Sequence, residues 1–324
     1  MNSEKENDQE NKSIGNILFL NPIIYGSTYV ITQSITQIIP SFLYMTLRFL
    51  IGFIALFIII IISFKKHSMK EANNNMKTQV KLAFMAGILF FITNASQTIG
   101  LKFTSPSNAG FITSLNIIFI PIILGVCYKQ KQPLNVWFGV FLALIGIFIL
   151  SFFDLESINV GDLLVLICAG CFSIYVIFIN QNKEKIQLMR FNLYQMGFIS
   201  VFSLLASFFT ENWNEITESV IPALKSLNLI LILIYIGFIA TALTFLFQVL
   251  GQKHITPAKT AIILSLEPVF ATLFGFLAGV ETFSSIKILG FLCIFTGILI
   301  AKLQIKRNQG KIDESKPQIN TKIQ

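Results

Sequence analysis

The chain has 324 residues, 54% of them hydrophobic and only 12% charged, with a mean hydropathy of +0.73 and a formal net charge of +8. A soluble domain carries roughly 25% charged residues, so this balance excludes a soluble globular protein and points to a polytopic membrane protein. The positive excess does not mark a nucleic-acid binder, because the basic residues stand in short clusters between apolar runs, with no basic helix and no interleaved stacking aromatics.

The N-terminus, MNSEKENDQENKS, is acidic and Asn-rich and lacks the basic n-region of a cleaved signal peptide, so the first membrane helix is expected to serve as the insertion signal. Crossing the roughly 30 Å of bilayer hydrocarbon takes about 20 mainly apolar residues. On that measure ten helices are predicted, over residues 16–35, 41–63, 80–101, 106–127, 134–153, 161–180, 191–209, 228–250, 259–279 and 284–302. The first carries Asn21, Pro22, Tyr25, Ser27 and Thr28, a polarity that argues for a helix facing a cavity. Cys127, Cys168, Cys171 and Cys293 all fall in apolar runs, so buried reduced thiols are expected.

Sorting Lys and Arg by alternate loops places 20 of the 24 on one side, with Lys102, Lys225 and Lys287 on the other and Arg48 inside a helix. The positive-inside rule then puts both termini in the cytoplasm. The acidic stretches, Asp154 to Asp162 and the loop with Glu211, Glu215 and Glu218, fall outside.

Residues 93–151 recur without a gap as residues 244–302. An offset of 151 carries Thr93 onto Thr244, Gln97 onto Gln248, Gly100 onto Gly251, Lys102 onto Lys253, Pro106 onto Pro257 and Gly139 onto Gly290. Matched Gln, Lys, Pro and Gly at one offset are hard to obtain from composition alone, so the segment is read as duplicated. Nearer the start, Gly15 and Asn16 align with Gly161 and Asp162, and Ser27, Tyr29 and Val30 with Ser173, Tyr175 and Val176, at an offset of 146. Five spans is an odd number, so the second copy enters the membrane from the opposite side. The expected fold is an all-α membrane protein of ten transmembrane helices in two inverted-topology five-helix repeats. The first repeat covers 14–153 and the second 161–302, flanked by disordered cytoplasmic tails at 1–13 and 303–324.

The two halves resemble the EamA-type repeats of the drug/metabolite transporter superfamily. The second half carries the resemblance in Ile255 to Ala258, in Leu266, Glu267, Pro268, Val269 and Phe270, in Val280-Glu281, and in Gly290 and Gly297. The first half carries it in Tyr25-Gly26-Ser27, Arg48-Phe49, the run Thr104 to Ala109, and Gly139 with Gly146. Val280-Glu281 stands where the family usually has Gly-Glu, and Tyr25-Gly26-Ser27 where Trp-Gly-Ser is common. The resemblance implies a carrier with a central cavity and a small organic solute.

Among candidate site residues, Glu267 is the acid well inside a predicted span. A mid-membrane carboxylate costs roughly 2.5–3.5 kcal/mol on insertion scales and is not expected to face lipid. It can hold a cationic group of the solute, carry a coupling proton, or lock helix packing. Arg48 can bind a solute carboxylate, snorkel to the outer interface, or pair with backbone carbonyls. Gln97 and Gln248, with Thr93 and Thr244, share one helix face in the two copies; interhelical hydrogen bonding and a polar cavity both fit them. Asn94 and Asn116 add polarity of the same kind, and Tyr25, Tyr29 and Tyr175 can offer rings and hydroxyls to a solute. Pro121 and Pro268 are expected to kink their helices by freeing the carbonyls of Ile117 and Leu264. Cys168 and Cys171 form a CxxC inside an apolar span without nearby His and are read as packing residues, not as a metal site.

No phosphate-cradling loop, HExxH or Asp-rich diphosphate motif is present, so no catalytic residue, no metal and no cofactor are expected, and the coupling ion is left open. The sequence is therefore read as a secondary transporter, an alternating-access exporter of small organic metabolites, amino-acid-like solutes among them, in a bacterial cell (inner) membrane. A nucleotide-sugar or other metabolite exchanger of the same superfamily is the alternative, and a non-transporting sensor or scaffold the alternative of another class. The expected partners are a small-molecule solute and the lipid bilayer, with a homodimer left open.

Overall fold

The structure is a computed structural model that describes residues 17–64, 76–130, 134–153, 159–264 and 266–280, and most positions from 285 to 300. Among the described residues every regular element is a helix. A 3-10 turn at Ile17–Phe19 leads into α1 (Leu20–Ile35), followed by α2 (Ser41–Phe64) and α3 (Met76–Gly100). Next come α4 (Pro106–Tyr128, interrupted near its middle), α5 (Leu134–Phe153), α6 (Val160–Gln181) and α7 (Leu188–Thr210). Short helical turns lead to α8 (Leu227–His254), then α9 in two halves (Pro257–Leu264 and Glu267–Leu277) and α10 (Ile288–Gly297).

Six of these helices, α2, α3, α4, α6, α7 and α8, are long and apolar enough to cross a membrane. Helix ends fall within a few residues of the predicted segments; α3 reaches back to Met76 and α8 on to His254. The two tails, Lys65 to Lys70, Lys131, Asp154 and Glu281 lie outside the described residues.

Outward faces of the helices are apolar and uncovered. On α2, Ile54, Phe57, Ile58 and Ile61 are each about half exposed, and on α5 Phe138 and Phe141 are exposed further. Such faces are stable only against lipid, and helices suit that solvent because their backbone groups bond internally. The inward faces carry the core aromatics: Phe90 meets Phe245 edge-on at 4.6 Å and Tyr175 at 4.8 Å between ring centroids.

Polar clasps gather the connections at two opposite ends. At one end, Gln79 at the start of α3 donates to the carbonyl of Lys185 and accepts from the Gln187 amide. Beside it the Lys253 ammonium reaches the Ile186 carbonyl at 2.6 Å, and Asn180 donates to the Ile255 carbonyl at 3.0 Å. At the other end, the Glu211 carboxylate accepts from the amides of Phe42 and Leu43 at 2.7 and 3.0 Å, satisfying orphan donors of α2 with a favourable charge at the helix N-terminus. There too, Asn159 and Asp162 form a reciprocal capping box at the start of α6, and Thr104 donates to Asp162 at 2.6 Å. Among the described residues, the α6–α7 and α8–α9 connections thus lie at one end and the α1–α2, α3–α4 and α7–α8 connections at the other.

Packing follows the repeat. Helix α1 lies against the second half of α9, and α6 against α4; α3 runs along α6 and α7, while its copy α8 runs along the first turns of the chain and α2. Two glycines bring α3 and α6 close together. A Cβ on Gly100 would stand 2.9 Å from the Gly161 carbonyl, and one on Gly161 2.6 Å from the Gly100 carbonyl. Gly251, the repeat mate of Gly100, packs on Leu18 in the equivalent place.

Gly161→Ala is expected to destabilise the purified protein by about 1–3 kcal/mol through overpacking, read as a lower melting temperature in detergent. Gly170→Ala, on the same helix with nothing within 4 Å of the added Cβ, is the matched control and should leave the melting temperature unchanged or higher.

Candidate functional site

Two membrane helices are interrupted, at positions related by the repeat. In α4 the regular pattern ends at Thr113 and resumes at Asn116; in α9 it ends at Leu264 and resumes at Glu267. Each break is bridged by tightened three-residue hydrogen bonds. The Leu115 amide reaches Ile112 at 3.1 Å and Ile118 reaches Leu115 at 2.8 Å; 151 residues on, Leu266 reaches Ile263 at 3.2 Å and Val269 reaches Leu266 at 3.1 Å. Pro268 stands in the first turn of the resumed helix. In α4 no proline occupies the matching position, Ile117, and Pro121 sits inside the continuous second half, C-terminal to the break. Proline is therefore an accompaniment of the break in one copy and not its general cause. The offset also brings Asn116 onto Glu267, so each resumed helix begins on a buried polar side chain.

Glu267 faces a central cavity of about 400 Å³, mouth included, much of it too narrow for a water molecule to move in. Helix α1 contributes Tyr25, Thr28 and Tyr29, which share a face at i, i+3 and i+4. Helix α3 contributes Phe90, Thr93, Asn94 and Gln97, α4 adds Thr113, and α6 adds Cys168 and Phe172. Arg48 of α2 completes the lining. Among the described lining residues Arg48 is the one basic side chain and Glu267 the one carboxyl.

A relay of neutral groups holds the carboxylate. Gln97 Nε2 donates to the Tyr29 hydroxyl at 2.9 Å and to Thr113 Oγ1 at 3.4 Å, and the Tyr29 hydroxyl donates to Glu267 Oε2 at 3.2 Å. Arg48 donates through Nε to Thr241 Oγ1 at 2.8 Å and through Nη2 to the Ala240 carbonyl at 3.4 Å. Both acceptors lie in the π-helical stretch Tyr235–Leu243 of α8, where the looser winding presents carbonyls to a neighbour. Close contact between α2 and α8 makes this reach possible: a Cβ on Gly237 would stand 2.5 Å from Ile51. Arg48 thus pairs with backbone and hydroxyl groups in the interior and does not snorkel; it is 4% exposed.

Six of the sequence candidates meet at this cavity: Glu267, Arg48, Gln97, Asn94, Tyr25 and Tyr29. Three do not line it. Gln248 lies behind Tyr25, whose hydroxyl donates to its Oε1 at 3.4 Å; Tyr175 donates instead to Gln195 at 3.4 Å; and Asn116 is buried on the α4 side. Thr113, Phe90 and Phe172 escaped the sequence reading, whereas Thr28 belongs to the polar set that marked the first helix as cavity-facing. Cys168 is buried in the cavity wall and Cys171 half-buried, and among the described residues no cluster of His, Cys, Asp and Glu could hold a metal.

An apolar-sheathed helical bundle around a small polar cavity, with two interrupted helices meeting it, is the architecture of a membrane transporter. Residues 14–152 and 159–303 each match the EamA-like transporter family, and the chain belongs to that family. It is 29% identical over 288 residues to a protein of Archaeoglobus fulgidus named an uncharacterized transporter, covering 89% of this chain and 85% of that one. It is 26% identical over 295 residues to the uncharacterized transporter YoaV of Bacillus subtilis, covering 89% and 96%. A Chlamydia muridarum protein named an S-adenosylmethionine/S-adenosylhomocysteine transporter is 26% identical over 233 residues, covering 67% and 70%. A solved crystal structure superposes with a TM-score of 0.69 at 19% identity, covering 92% of this chain and 99% of that one, which shows a shared fold. The protein is a multi-pass membrane transporter of this family, which fits the expectation of a non-enzyme.

Tyr29→Phe and Gln97→Leu each break the relay to Glu267. Because both act on one hydrogen-bonded chain, their destabilisations should fall short of additivity by about 0.5–3 kcal/mol in a double-mutant cycle on chemical denaturation, whereas independent sites would add to within about 0.5 kcal/mol.

Proposed function

We propose that this transporter moves small organic metabolites, amino-acid-like solutes among them, outward across the bacterial cell membrane by alternating access. In this reading ten transmembrane helices form two inverted five-helix repeats, 14–153 and 161–302, with both termini in the cytoplasm. The solute occupies the cavity at Glu267, Arg48, Gln97, Asn94, Tyr25 and Tyr29, and a solute or ion gradient drives it.

The observation that carries the proposal is a pairing of open and sealed polar groups through the repeat. Gln97 and Glu267 line the cavity, while their mates Gln248 and Asn116 are buried, with Gln248 Nε2 and Asn116 Oδ1 lacking any hydrogen-bond partner among the described residues. Gln252 and Thr260, one turn either side of the α8–α9 connection, also hold sealed unpartnered polar atoms. Leaving such groups buried costs about 1–3 kcal/mol each, and the cost is relieved if they are hydrated in a second conformation. A molecule whose halves exchange conformations opens one set as it closes the other.

Transport of S-adenosylmethionine or S-adenosylhomocysteine, the solutes named for the Chlamydia relatives, is the second reading, favoured by matches over 67% and 62% of this chain. In proteoliposomes loaded with metabolite mixtures under imposed pH and sodium gradients, flux of at least one solute is expected, and Glu267→Gln should abolish it while leaving elution profile and melting temperature near those of the parent. Single cysteines at 97 and 248 should label reciprocally, conditions that protect one exposing the other. A chain that catalyses no flux yet binds solute would favour the sensor class.

A further inference from the structure

A second recess lies away from the central cavity, on the outer surface where α3 packs along α7. It is an open cleft with about 340 Å³ of free volume, lined by Met76, Lys77, Val80, Lys81 and Phe84 of α3 and by Phe198 of α7. That size falls within the roughly 300–1,000 Å³ of ordinary ligand sites. The α3 residues recur at spacings of three and four, so one helix face supplies them. Phe84 meets Phe198 edge-on at 5.3 Å between ring centroids, and Phe202 adds a third ring 5.8 Å from Phe84. Gly87, one turn further along α3, keeps α7 close: a Cβ there would stand 3.1 Å from Phe198 Cβ.

The two ends of the cleft differ in chemistry. Lys77 and Lys81 are exposed in the first two turns of a spanning helix, the depth at which lipid headgroups lie. They stand four residues apart, where like charges repel, and α3 carries no acidic residue to balance them. Gln79 ties the same turn of α3 to the α6–α7 connection, which adds Lys183 and Lys185. Glu184 is the described acid of that connection, and it stands in electrostatic reach of Lys253. Beyond the lysines the lining is apolar, from Val80, Phe84 and Phe198. Past it the outward faces of both helices stay apolar, with Met85 and Ile88 of α3 and Val201 and Leu205 of α7 exposed.

We propose that this cleft binds an anionic phospholipid, its phosphate held between the Lys77 and Lys81 ammonium groups and the upper part of an acyl chain lying along Val80, Phe84 and Phe198. Charge complementarity selects the occupant. A soluble phosphate would use the lysines and leave the ring-lined part without a partner, and an apolar helix of another subunit would leave two like charges uncompensated. A choline headgroup brings a cation that the lysines repel. An anionic lipid matches both ends, and each basic residue at the membrane surface strengthens its binding by about fivefold. The inference rests on the placement of α3 across the bilayer and is independent of the solute and of the transport cycle.

The test uses the full-length protein in phosphatidylcholine nanodiscs doped with a phosphatidylglycerol that carries a photoactivatable group on its acyl chain. Crosslinks are expected on residues 76–84 and on Phe198. Unlabelled phosphatidylglycerol should compete about tenfold or more better than phosphatidylcholine, and glycerol phosphate should not compete. The double variant Lys77→Gln/Lys81→Gln should lose the preference, whereas Lys225→Gln, at the opposite end, keeps it. Val80→Trp, which fills the cleft and leaves both charges in place, should abolish the crosslinks. Mapping on the parent protein decides the matter even if a variant does not fold. Crosslinks spread evenly over the lipid-facing helices, equal competition by phosphatidylcholine, or displacement by glycerol phosphate would overturn the proposal. A dimer by light scattering that shields residues 76–84 from the probe would assign the cleft to a second copy and overturn it equally.

Discussion

Everything in this molecule depends on where the backbone is allowed to be irregular inside hydrocarbon. A helix crossing a bilayer satisfies its own peptide groups, and an interruption leaves some of them needing other partners. Among the described residues the spanning helices are irregular at three interior places, the breaks in α4 and α9 and the π-helical stretch of α8, while their outward surfaces are apolar. Tightened three-residue bonds bridge the two breaks, and Arg48 and Thr244 take up the Ala240 carbonyl in the third. These same places supply the polar environment of the cavity.

The breaks show how a duplicated backbone can diverge in chemistry. Both resumed helices begin on a buried polar residue, yet one is Asn116 and the other Glu267. At the matching positions of α1 and α6, Tyr25 faces Cys171 across the 146 offset, while Tyr29 and Tyr175 are retained. The retained tyrosines make different bonds, Tyr29 to a carboxylate and Tyr175 to an amide. Backbone geometry is common to the copies, and the asymmetry lies in which side chain was placed on it. A cavity lined by one carboxyl and one guanidinium group follows from that asymmetry, since a strict repeat would have produced two of each or none.

Polar clasps at the two ends serve a different purpose from the cavity network. Glu211 caps α2 from the far end of α7, and Gln79 brackets the α6–α7 connection, so long-range bonds tie elements that hydrophobic contact alone would leave free to slide. Glu211 and Lys253 stay partly exposed and bond without the full desolvation cost that the cavity residues bear, while the buried Gln79 amide is satisfied by the Lys185 carbonyl and the Gln187 amide.

Several features were legible in the sequence because they are local or periodic. Apolar run length located the helices, since the bilayer imposes its thickness on every span, and the 151-residue offset identified the duplication without any contact being known. Glu267, Arg48, Gln97 and Tyr29 could be singled out because polar groups in apolar runs must be accounted for one by one. What the sequence could not supply was the pairing among them. That Tyr29 and not Arg48 meets Glu267, that Arg48 turns to a π-helical stretch, and that Gln97 opens on the cavity while its twin Gln248 is sealed all depend on rotation of one helix against another. Those rotations are set by close packing at Gly100 with Gly161 and at Gly237 with Ile51, contacts between residues far apart in the chain that no local pattern records.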